Sequence, residues 1–359
     1  MKRAWLIGRR SMAQRDGGDA MQLREMGELL GGRGWQVEQG HSASEVAPQS
    51  GDLVLLSSIQ RCHDWGSLPE RCHARGASLV VVPLYHPLGL YHRRGRHGLD
   101  ALFARVVPSP DRFASLRWGR FDLRRRAAQV LAQADRVLLA HEDEAQWLSR
   151  DFGYFSATKT AQVVPVAIHA EPAIAFTPDS PFGGRDFVLC AGRIEPLKNS
   201  LAVLHAASKL GLPVAFAGAL PGARHALYGA RMRAALRRKG AHRARWLGEL
   251  PYEQLRALMK QARVHVLASW TEVVGRVSLE AALAGAAVVA SDTGHAARYL
   301  GRESEGVFLF DPEEHGGLER ALDGAWLRGA TPTSDLANRV RERFTWDVVA
   351  PRFLEALPS

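Results

Sequence analysis

The residues best suited to chemistry lie in two short stretches of the second half of the chain. The first stretch, residues 192–199, holds Arg193 and Lys198 in a loop that Pro196 stiffens. A planar guanidinium and a compact ammonium, five residues apart, can hold a diphosphate between them. Taken alone, the stretch is equally well explained as an exposed basic loop without a ligand.

The second stretch, residues 268–282, carries two glutamates eight positions apart. Glu272 precedes Gly275, where a helix is expected to begin, and Glu280 follows it. The N-terminus of a helix offers free N–H groups and a positive dipole end to a phosphate. The two carboxylates would then accept hydrogen bonds from hydroxyl groups on either side of that phosphate. The alternative is a surface glutamate that pairs with Arg276 at i,i+4.

Short apolar runs rich in β-branched residues alternate with longer segments of helical period. They predict strands at residues 4–7, 35–37, 52–56, 79–83, 136–140 and 163–166, and then at 187–190, 214–217, 264–267, 287–290 and 307–310. This alternation predicts an α/β protein with parallel sheets and helices on both faces. In such sheets ligands bind beyond the carboxyl ends of the strands, which is where both stretches begin.

A stretch rich in Pro and Gly, residues 171–184, separates the two series of strands and predicts a linker. We therefore expect two doubly wound domains, at about 1–170 and 184–340. A helical segment follows them.

Composition excludes several classes of protein. The chain has 359 residues, 46% of them hydrophobic, so it can bury a sizeable core and is not disordered. Its three cysteines, Cys62, Cys72 and Cys190, suit a reducing compartment rather than a disulfide scaffold. No uncharged apolar run is long enough for a spanning helix, so a cytoplasmic location is expected. The Cys–His neighbours at 62–63 and 72–73 lack the spacing of a zinc site, so no metal is expected.

The formal net charge of +10 is concentrated in two places. Residues 91–126 contain ten Arg and three Asp, and residues 231–245 contain six Arg, one Lys and no acid. Such basic stretches can meet nucleic acid, anionic lipid or a phosphorylated substrate. For residues 231–245 a solvated face of an exposed helix is an equally good explanation.

An apolar helical stripe lies within the first basic stretch, formed by Leu99, Leu102, Phe103, Val106 and Val107. A basic amphipathic helix of this kind can lie on an anionic membrane. The commoner alternative is a helix that packs onto its own domain.

The two chemical stretches together resemble the glycosyltransferase family 4 type of retaining GT-B enzyme. That family's signature is a Glu, seven residues and a second Glu, as at Glu272 and Glu280. The run from Gly192 to Asn199 is similar to the family's diphosphate loop. More loosely, Gly17–Gly18–Asp19 resembles its N-terminal glycine loop, and Phe344–Thr345–Trp346 the start of its final helix.

The resemblance implies a GT-B fold, with two Rossmann-like domains facing across a cleft. Residues 1–170 would bind the acceptor, joined by a helix at about 344–359 that crosses back. Residues 184–340 would bind the nucleotide-sugar donor. It also implies a set of donor-binding residues: Gly18, Arg193, Lys198, Leu247, Leu250, Glu272, Val274, Gly275, Arg276 and Glu280.

Individual roles follow from the same resemblance. Arg193 and Lys198 would hold the diphosphate, Glu272 the hydroxyls of the transferred sugar, and Glu280 those of the ribose. Leu247 and Leu250 would flank the base, and backbone groups of residues 274–276 would meet sugar and phosphate. His86, at the end of a predicted strand, would lie beside the reacting carbon. His86 and Glu272 are therefore the expected catalytic residues. The family often has an aromatic residue or Pro where this chain has Val274, which affects the shape of the sugar pocket.

The function implied is retaining, metal-independent transfer of a sugar from a nucleoside diphosphate to a glycan, lipid-linked or lipopolysaccharide-type acceptor, as in cell-envelope polysaccharide biosynthesis. No cofactor is implied beyond the nucleotide-sugar co-substrate, and no nucleic acid partner. Peripheral contact with the inner membrane face through residues 91–126 is a further expectation. The alternatives are a GT-B epimerase or hydrolase of sugar nucleotides and a non-catalytic nucleic-acid-binding protein.

Overall fold

The structure, a computed structural model, describes most of the chain in two units. The described residues are 2–8, 17–40, 42–107, 109–118, 122–153, 160–170, 180–184, 186–220, 222, 225–238, 243–302, 304–328 and 334–358. Residues 171–179 of the predicted linker lie outside them, as do residues 119–121 and 239–242 of the basic stretches. Among the described residues, every helix is too short or too polar to span a lipid bilayer.

The first unit comprises Met1–Pro87, Asp111–Ala167 and Trp346–Ser359. Its strands are β1 Arg3–Ile7, β2 Gln36–Gly40, β3 Leu53–Ser57, β4 Ser78–Val82, β5 Arg136–Leu139 and β6 Ala161–Val163. They form one parallel sheet in the order β2-β1-β3-β4-β5-β6. Its helices, numbered along the chain, are α1 Gly18–Gly31, α2 Leu68–Arg75, α4 Pro110–Trp118, α5 Leu123–Gln133, α6 Glu142–Phe152 and α14 Trp346–Glu355.

The second unit comprises Leu88–Pro110 and Ile168–Thr345. Its strands are β7 Val188–Ala191, β8 Val214–Ala217, β9 Ala244–Gly248, β10 Val264–Leu267, β11 Ala287–Ser291 and β12 Val307–Phe310. They form a second parallel sheet in the order β12-β11-β10-β7-β8-β9. Its helices are α3 Leu99–Val106, α7 Ser200–Lys209, α8 Ala226–Leu236, α9 Tyr252–Gln261, α10 Arg276–Leu283, α11 Ala296–Leu300, α12 Gly317–Arg328 and α13 Ser334–Phe344.

The two parallel α/β sheets confirm the predicted fold class. The central strands are buried along their whole length, as β3 and β11 show, because helices cover both faces of a parallel sheet. The prediction missed β9. The exposed helix suggested for 231–245 is present as far as Leu236, the end of α8, and β9 begins at Ala244. This strand is at the edge of the sheet and exposes Arg245 and Trp246, so it lacks the apolar run of a buried strand.

The last helix, α14, packs in the first unit. Trp346, Val349 and Phe353 are buried there in one cluster with Leu23 and Met26 of α1. The indole Nε1 of Trp346 also donates a hydrogen bond to Glu25 Oε2 at 2.9 Å. Burial of these large apolar side chains makes α14 part of the first unit's core, although α13, directly before it, belongs to the second unit.

The segment Leu88–Pro110 follows β4 in the chain but packs in the second unit. The contact is close at Gly95, in a π-helical turn over Tyr91–Gly95. A Cβ added to Gly95 would lie 2.4 Å from Cδ1 of Trp270 and 2.5 Å from Cδ2 of Tyr91. Only glycine therefore allows this turn to lie against the loop that follows β10.

A buried carboxylate joins the ends of two strands in the first unit. Glu144 of α6 accepts hydrogen bonds from the backbone N–H groups of Tyr85, at 2.5 Å, and Ala140, at 2.6 Å. These residues follow β4 and β5, so Glu144 holds the two loops together. Burial raises the pKa of Glu144 to about 7, against the lowering effect of the two hydrogen bonds.

This pKa gives the stability of the chain a predictable pH dependence. Between pH 4.5 and 7 the unfolded chain releases the Glu144 proton while the folded chain retains it. The free energy of unfolding is therefore expected to fall as pH rises through this range, by at most about 1.4 kcal/mol per pH unit from this group. Chemical denaturation at several pH values should show that the free energy of unfolding falls less steeply with pH in Glu144→Gln than in the wild type. The control Glu142→Gln, in the exposed first turn of the same helix, should follow the wild type. A curve for Glu144→Gln parallel to the wild type would contradict the assignment.

Candidate functional site

The two stretches singled out by their chemistry meet at one point of the second sheet. Strand β7 borders β8 on one side and β10 on the other, so the order of strands reverses between β7 and β10. Ligands of open α/β sheets bind at such a switch point, outside the carboxyl ends of the strands. The loop 192–199 follows β7, and the loop 268–275 follows β10. The backbone N–H of Trp270 donates to the carbonyl of Leu197 at 2.9 Å and joins the two loops directly.

Lys198 and Glu272 form an ion pair between these loops, through Nζ and Oε2. Lys198 ends a 3₁₀ turn, Pro196–Lys198, and Ser269 Oγ donates to the same Glu272 oxygen at 3.1 Å. Both side chains are about one-fifth exposed, so the pair is shielded but can be reached from solvent. The structure thus brings together the predicted phosphate-binding cation and the predicted sugar-binding carboxylate.

Arg193 lies in the same loop but in a different setting. Its side chain is 47% exposed, and Nη2 lies 3.0 Å from Oε1 of Glu195. The backbone of the loop is fixed, because the N–H of Ile194 donates to the carbonyl of Ala219 at 3.0 Å. Arg193 is therefore the more exposed of the two cations and pairs within its own loop, whereas Lys198 pairs with Glu272 of the neighbouring loop.

Helix α10 begins at the point that the sequence predicts. Gly275 is its N-cap residue, with a φ of +69° that favours glycine. Val274 is buried, and Arg276 at the first helical position is 8% exposed. The first backbone N–H groups of α10 lie directly after the Glu272 loop, and that of Ser278 donates to the carbonyl of Gly275 at 2.7 Å.

Glu280 is held one helical turn further along α10. It is only 2% exposed, and it accepts a hydrogen bond at Oε1 from the hydroxyl of Tyr252 at 3.1 Å. Arg256 Nη1 lies 3.5 Å from the Glu280 carbonyl. Burial, and after it the Glu280 carboxylate, raises the pKa of Tyr252, so the phenol stays protonated and remains a donor. This burial excludes the alternative interpretation, in which Glu280 is a surface residue.

The turn predicted to hold a base, 247–250, follows the edge strand β9. Leu247 and Leu250 are half-buried and pack against the cluster that contains Phe187 and Ala217. The carbonyl of Gly248 accepts from the N–H of Gly218 at 2.7 Å, which attaches the turn to the end of β8. The turn therefore offers an apolar surface beside a fixed backbone.

The loop after β11 packs against the backbone of Glu272. This loop was not singled out in the sequence analysis. A Cβ on Gly294 would lie 1.6 Å from the Glu272 carbonyl oxygen, and the φ of Gly294 is +73°. The N–H of the next residue, His295, donates to the carbonyl of Val273 at 3.1 Å. A Gly four residues after the predicted strand end at residue 290 was the available signal. Tyr252 was missed too, since its position opposite Glu280 depends on how α9 packs on α10.

Two predicted site residues lie in the first unit. Gly18 begins α1, and His86 follows β4, with its carbonyl accepting from Gln60 Nε2 at 2.8 Å. His86 thus lies at the carboxyl end of its sheet, as predicted, on the backbone that Glu144 holds in place. The roles of Gly18 and His86 stay predictions.

Comparison with known proteins supports the resemblance seen in the sequence. Residues 176–342, which contain every predicted site residue of the second unit, match the family model for glycosyl transferases group 1. Together with the structural matches given below, this supports a group 1 glycosyltransferase. The search of curated proteins found no match to the chain.

Several solved structures share the fold of this protein over almost its whole length. Sucrose-phosphate synthase from Thermosynechococcus elongatus is 16% identical, with a TM-score of 0.71 over 99% of this chain and 98% of that one. Anabaena HepE, in complex with UDP and glucose, is 16% identical, with a TM-score of 0.72 over 99% of both chains. A glycosyltransferase from Rickettsia africae is 14% identical, with a TM-score of 0.64 over 99% of this chain and 97% of that one. At these identities the likeness establishes the fold, and the chain has the GT-B fold.

The Gly294 contact predicts a specific loss of stability. Gly294→Ala would force its methyl group into the Glu272 backbone, so we expect it to lower the free energy of unfolding by at least about 2 kcal/mol more than a matched control. The control is Gly211→Ala, which has a φ of +68° and no atom within 4 Å of the added Cβ, so it carries only the backbone strain. Denaturant unfolding of the two variants separates the steric effect from the strain. Equal losses would show that the loop after β11 does not support Glu272.

Proposed function

We propose that the chain transfers a sugar from a nucleoside diphosphate donor to an acceptor hydroxyl with retention of anomeric configuration. The observation that carries the proposal is the Lys198–Glu272 pair at the β7/β10 switch point, next to the N-terminus of α10. A diphosphate needs positive charge on several sides, and a sugar needs carboxylates that accept from its hydroxyls. This site offers both within two connected loops.

The proposed donor contacts combine the roles that the family resemblance implies with the positions of these residues in the second unit. The ammonium of Lys198 would bind one phosphate, Arg193 would close over the other, and the N–H groups after Gly275 would share the charge. Glu272 would accept hydrogen bonds from the transferred sugar and Glu280 from the ribose. The base would lie on the turn that holds Leu247 and Leu250. Arg193, Lys198 and the helix dipole supply the neutralising charge, so we propose donor binding without a metal.

The proposed reaction uses the donor's own leaving group. The bond between the anomeric carbon and the diphosphate oxygen breaks while a new bond forms from that carbon to the acceptor oxygen. The acceptor proton passes to the departing diphosphate on the same face of the sugar, which gives retention. Glu272 is held by Lys198 and Ser269, an arrangement suited to positioning the sugar rather than to attack on it. The protein then acts through positioning and charge stabilisation. By family resemblance, we propose that His86 lies beside the reacting carbon. The proposed acceptor is a hydroxyl group of a glycan, a lipid-linked sugar or a lipopolysaccharide-type molecule.

A ligand screen tests the proposal directly. Thermal-shift measurements with UDP, GDP, ADP and their sugars should show stabilisation by one nucleotide and its sugars, and none by an oligonucleotide. Donor consumption without an acceptor would instead indicate an epimerase or hydrolase. Stabilisation by oligonucleotide alone would replace the proposal with nucleic-acid binding.

The diphosphate assignment predicts a kinetic effect. Lys198→Ala and Arg193→Ala should each lower turnover about a hundredfold, because each removes a preorganised charge from the leaving group. Lys209→Ala is the matched control, since Lys209 is exposed on α7 and pairs with Glu319 at 3.7 Å. Steady-state assays with the stabilising donor would measure the effect. Unchanged turnover in both variants would overturn the assignment.

The ribose assignment predicts a change in nucleotide selectivity. Glu280→Gln should weaken binding of the nucleoside diphosphate at least about tenfold, since a charge-assisted hydrogen bond is lost. The variant should also discriminate less between this nucleoside diphosphate and its analogue that lacks the 2′ and 3′ hydroxyls of the ribose. Tyr252→Phe should act in the same direction with a smaller effect, and Glu253→Gln, exposed on the same helix, should have none. Calorimetric titration with both nucleotides would measure this. Discrimination retained in Glu280→Gln would exclude the ribose contact.

A further inference from the structure

The start of the first basic stretch, within Leu88–Pro110, and the start of the second, on α8, lie on one surface of the second unit. The rest of the first stretch, from Asp111, belongs to the first unit. Arg231 Nη1 of α8 lies 3.3 Å from Nδ1 of His97, and the rings of His97 and Tyr228 lie edge to face with centroids 4.9 Å apart. These contacts place the start of α3 directly against α8. We use the name basic–apolar face for residues 93–106 together with residues 227–238.

Large aliphatic side chains are exposed on this face. Leu99, Leu102 and Val106, on successive turns of α3, are 77%, 57% and 79% exposed. Leu227 of α8 is 56% exposed, and its Cδ2 lies 3.0 Å from where a Cβ on Gly98 would be. The predicted apolar stripe therefore does not pack onto its own unit, since only Phe103 and Val107 are partly covered. Among the described residues, half of the exposed large hydrophobic side chains belong to this face.

Positive charge surrounds these aliphatic side chains. Arg93, Arg94 and Arg105 are exposed on the α3 side. Four further arginines are exposed on the α8 side: Arg231, Arg233, Arg237 and Arg238. Asp100 is the acidic residue of the face, and its Oδ2 lies 4.0 Å from Arg96 Nη1. Arg94 also pairs with Glu313, whose Oε1 lies 3.2 Å from Arg94 Nε. The charge around the aliphatic side chains is therefore predominantly positive. An exposed apolar patch in such a setting indicates an interaction site for a negatively charged partner.

We propose that the basic–apolar face docks on an anionic lipid bilayer. Aliphatic side chains at the centre can enter the boundary between headgroups and acyl chains, while the arginines bind the headgroups. Single-stranded nucleic acid fits less well, because its bases stack on aromatic rings and the exposed apolar residues of this face are Leu and Val. The charge and the aliphatic chemistry together select the lipid surface. This inference concerns membrane binding and goes beyond the proposed sugar transfer.

Vesicle flotation with the full chain tests the inference. The chain should float with vesicles of phosphatidylglycerol and phosphatidylcholine in equal parts, but not with phosphatidylcholine alone, and high salt should release it. The triple variant L99Q/L102Q/V106Q should bind at least about tenfold more weakly, because it loses the inserted aliphatic groups. The double variant R231Q/R233Q should also bind at least about tenfold more weakly, through lost headgroup attraction.

Matched controls show whether these effects belong to the face. Leu327→Gln removes a leucine that is 69% exposed on α12, and Arg352→Gln removes an exposed arginine of α14. Both should bind vesicles as the wild type does. A circular-dichroism spectrum and a cooperative thermal transition like those of the wild type would show that the fold of the triple variant is intact. Vesicle binding is measured without donor or acceptor, so failure of the proposed sugar transfer would not affect its outcome.

Three results would overturn the inference. The first is that the wild type fails to float with anionic vesicles. The second is that the triple variant floats like the wild type. The third is that light scattering shows a dimer which the triple variant dissociates, because the face would then be covered by a second copy of the chain.

Discussion

The candidate site depends on one constraint, the adjacency of β7 and β10 in the second sheet. These strands are separated by more than seventy residues, yet their pairing places a basic loop and an acidic loop at the same sheet edge. Backbone bonding between Trp270 and Leu197 then sets the spacing of the loops, and the Lys198–Glu272 pair follows from that spacing. The paired strands therefore position the two loops, and the loops carry the charged side chains of the candidate site.

Pairing Lys198 with Glu272 has an electrostatic consequence for ligand binding. A partly buried charge is costly unless an opposite charge compensates it, so each residue makes the position of the other tolerable. In the proposed donor complex, a diphosphate would bring new negative charge to the ammonium, and a sugar hydroxyl would offer the carboxylate a new donor. The two halves of a nucleotide sugar would thus replace part of the contact between Lys198 and Glu272. Arg193 is more exposed and pairs with Glu195, in the same loop as Lys198.

The sequence predicted most of the fold, because buried parallel strands are continuous apolar runs. It failed at β9, whose Arg245 and Trp246 face solvent at a sheet edge, and it could not show that α3 would leave Leu99 and Val106 uncovered. For the site, the Glu–seven–Glu spacing and the Arg–Lys loop singled out two stretches that the structure joins through the Lys198–Glu272 pair. The residues that contact Glu272 and Glu280 were not predictable. Gly294 lies against the backbone of Glu272 because the loop after β11 packs there, and Tyr252 reaches Glu280 because α9 packs on α10. Both contacts depend on tertiary packing.

The path of the chain between the two units has a consequence for dissecting the protein. The chain passes from one unit to the other four times, after Pro87, Pro110, Ala167 and Thr345. A fragment cut at the linker would lack the turn that lies on Trp270 at Gly95, and it would expose the loop that carries Glu272. Neither unit is a continuous piece of sequence. Exchange of halves between related chains would therefore have to carry Leu88–Pro110 with the second unit and α14 with the first.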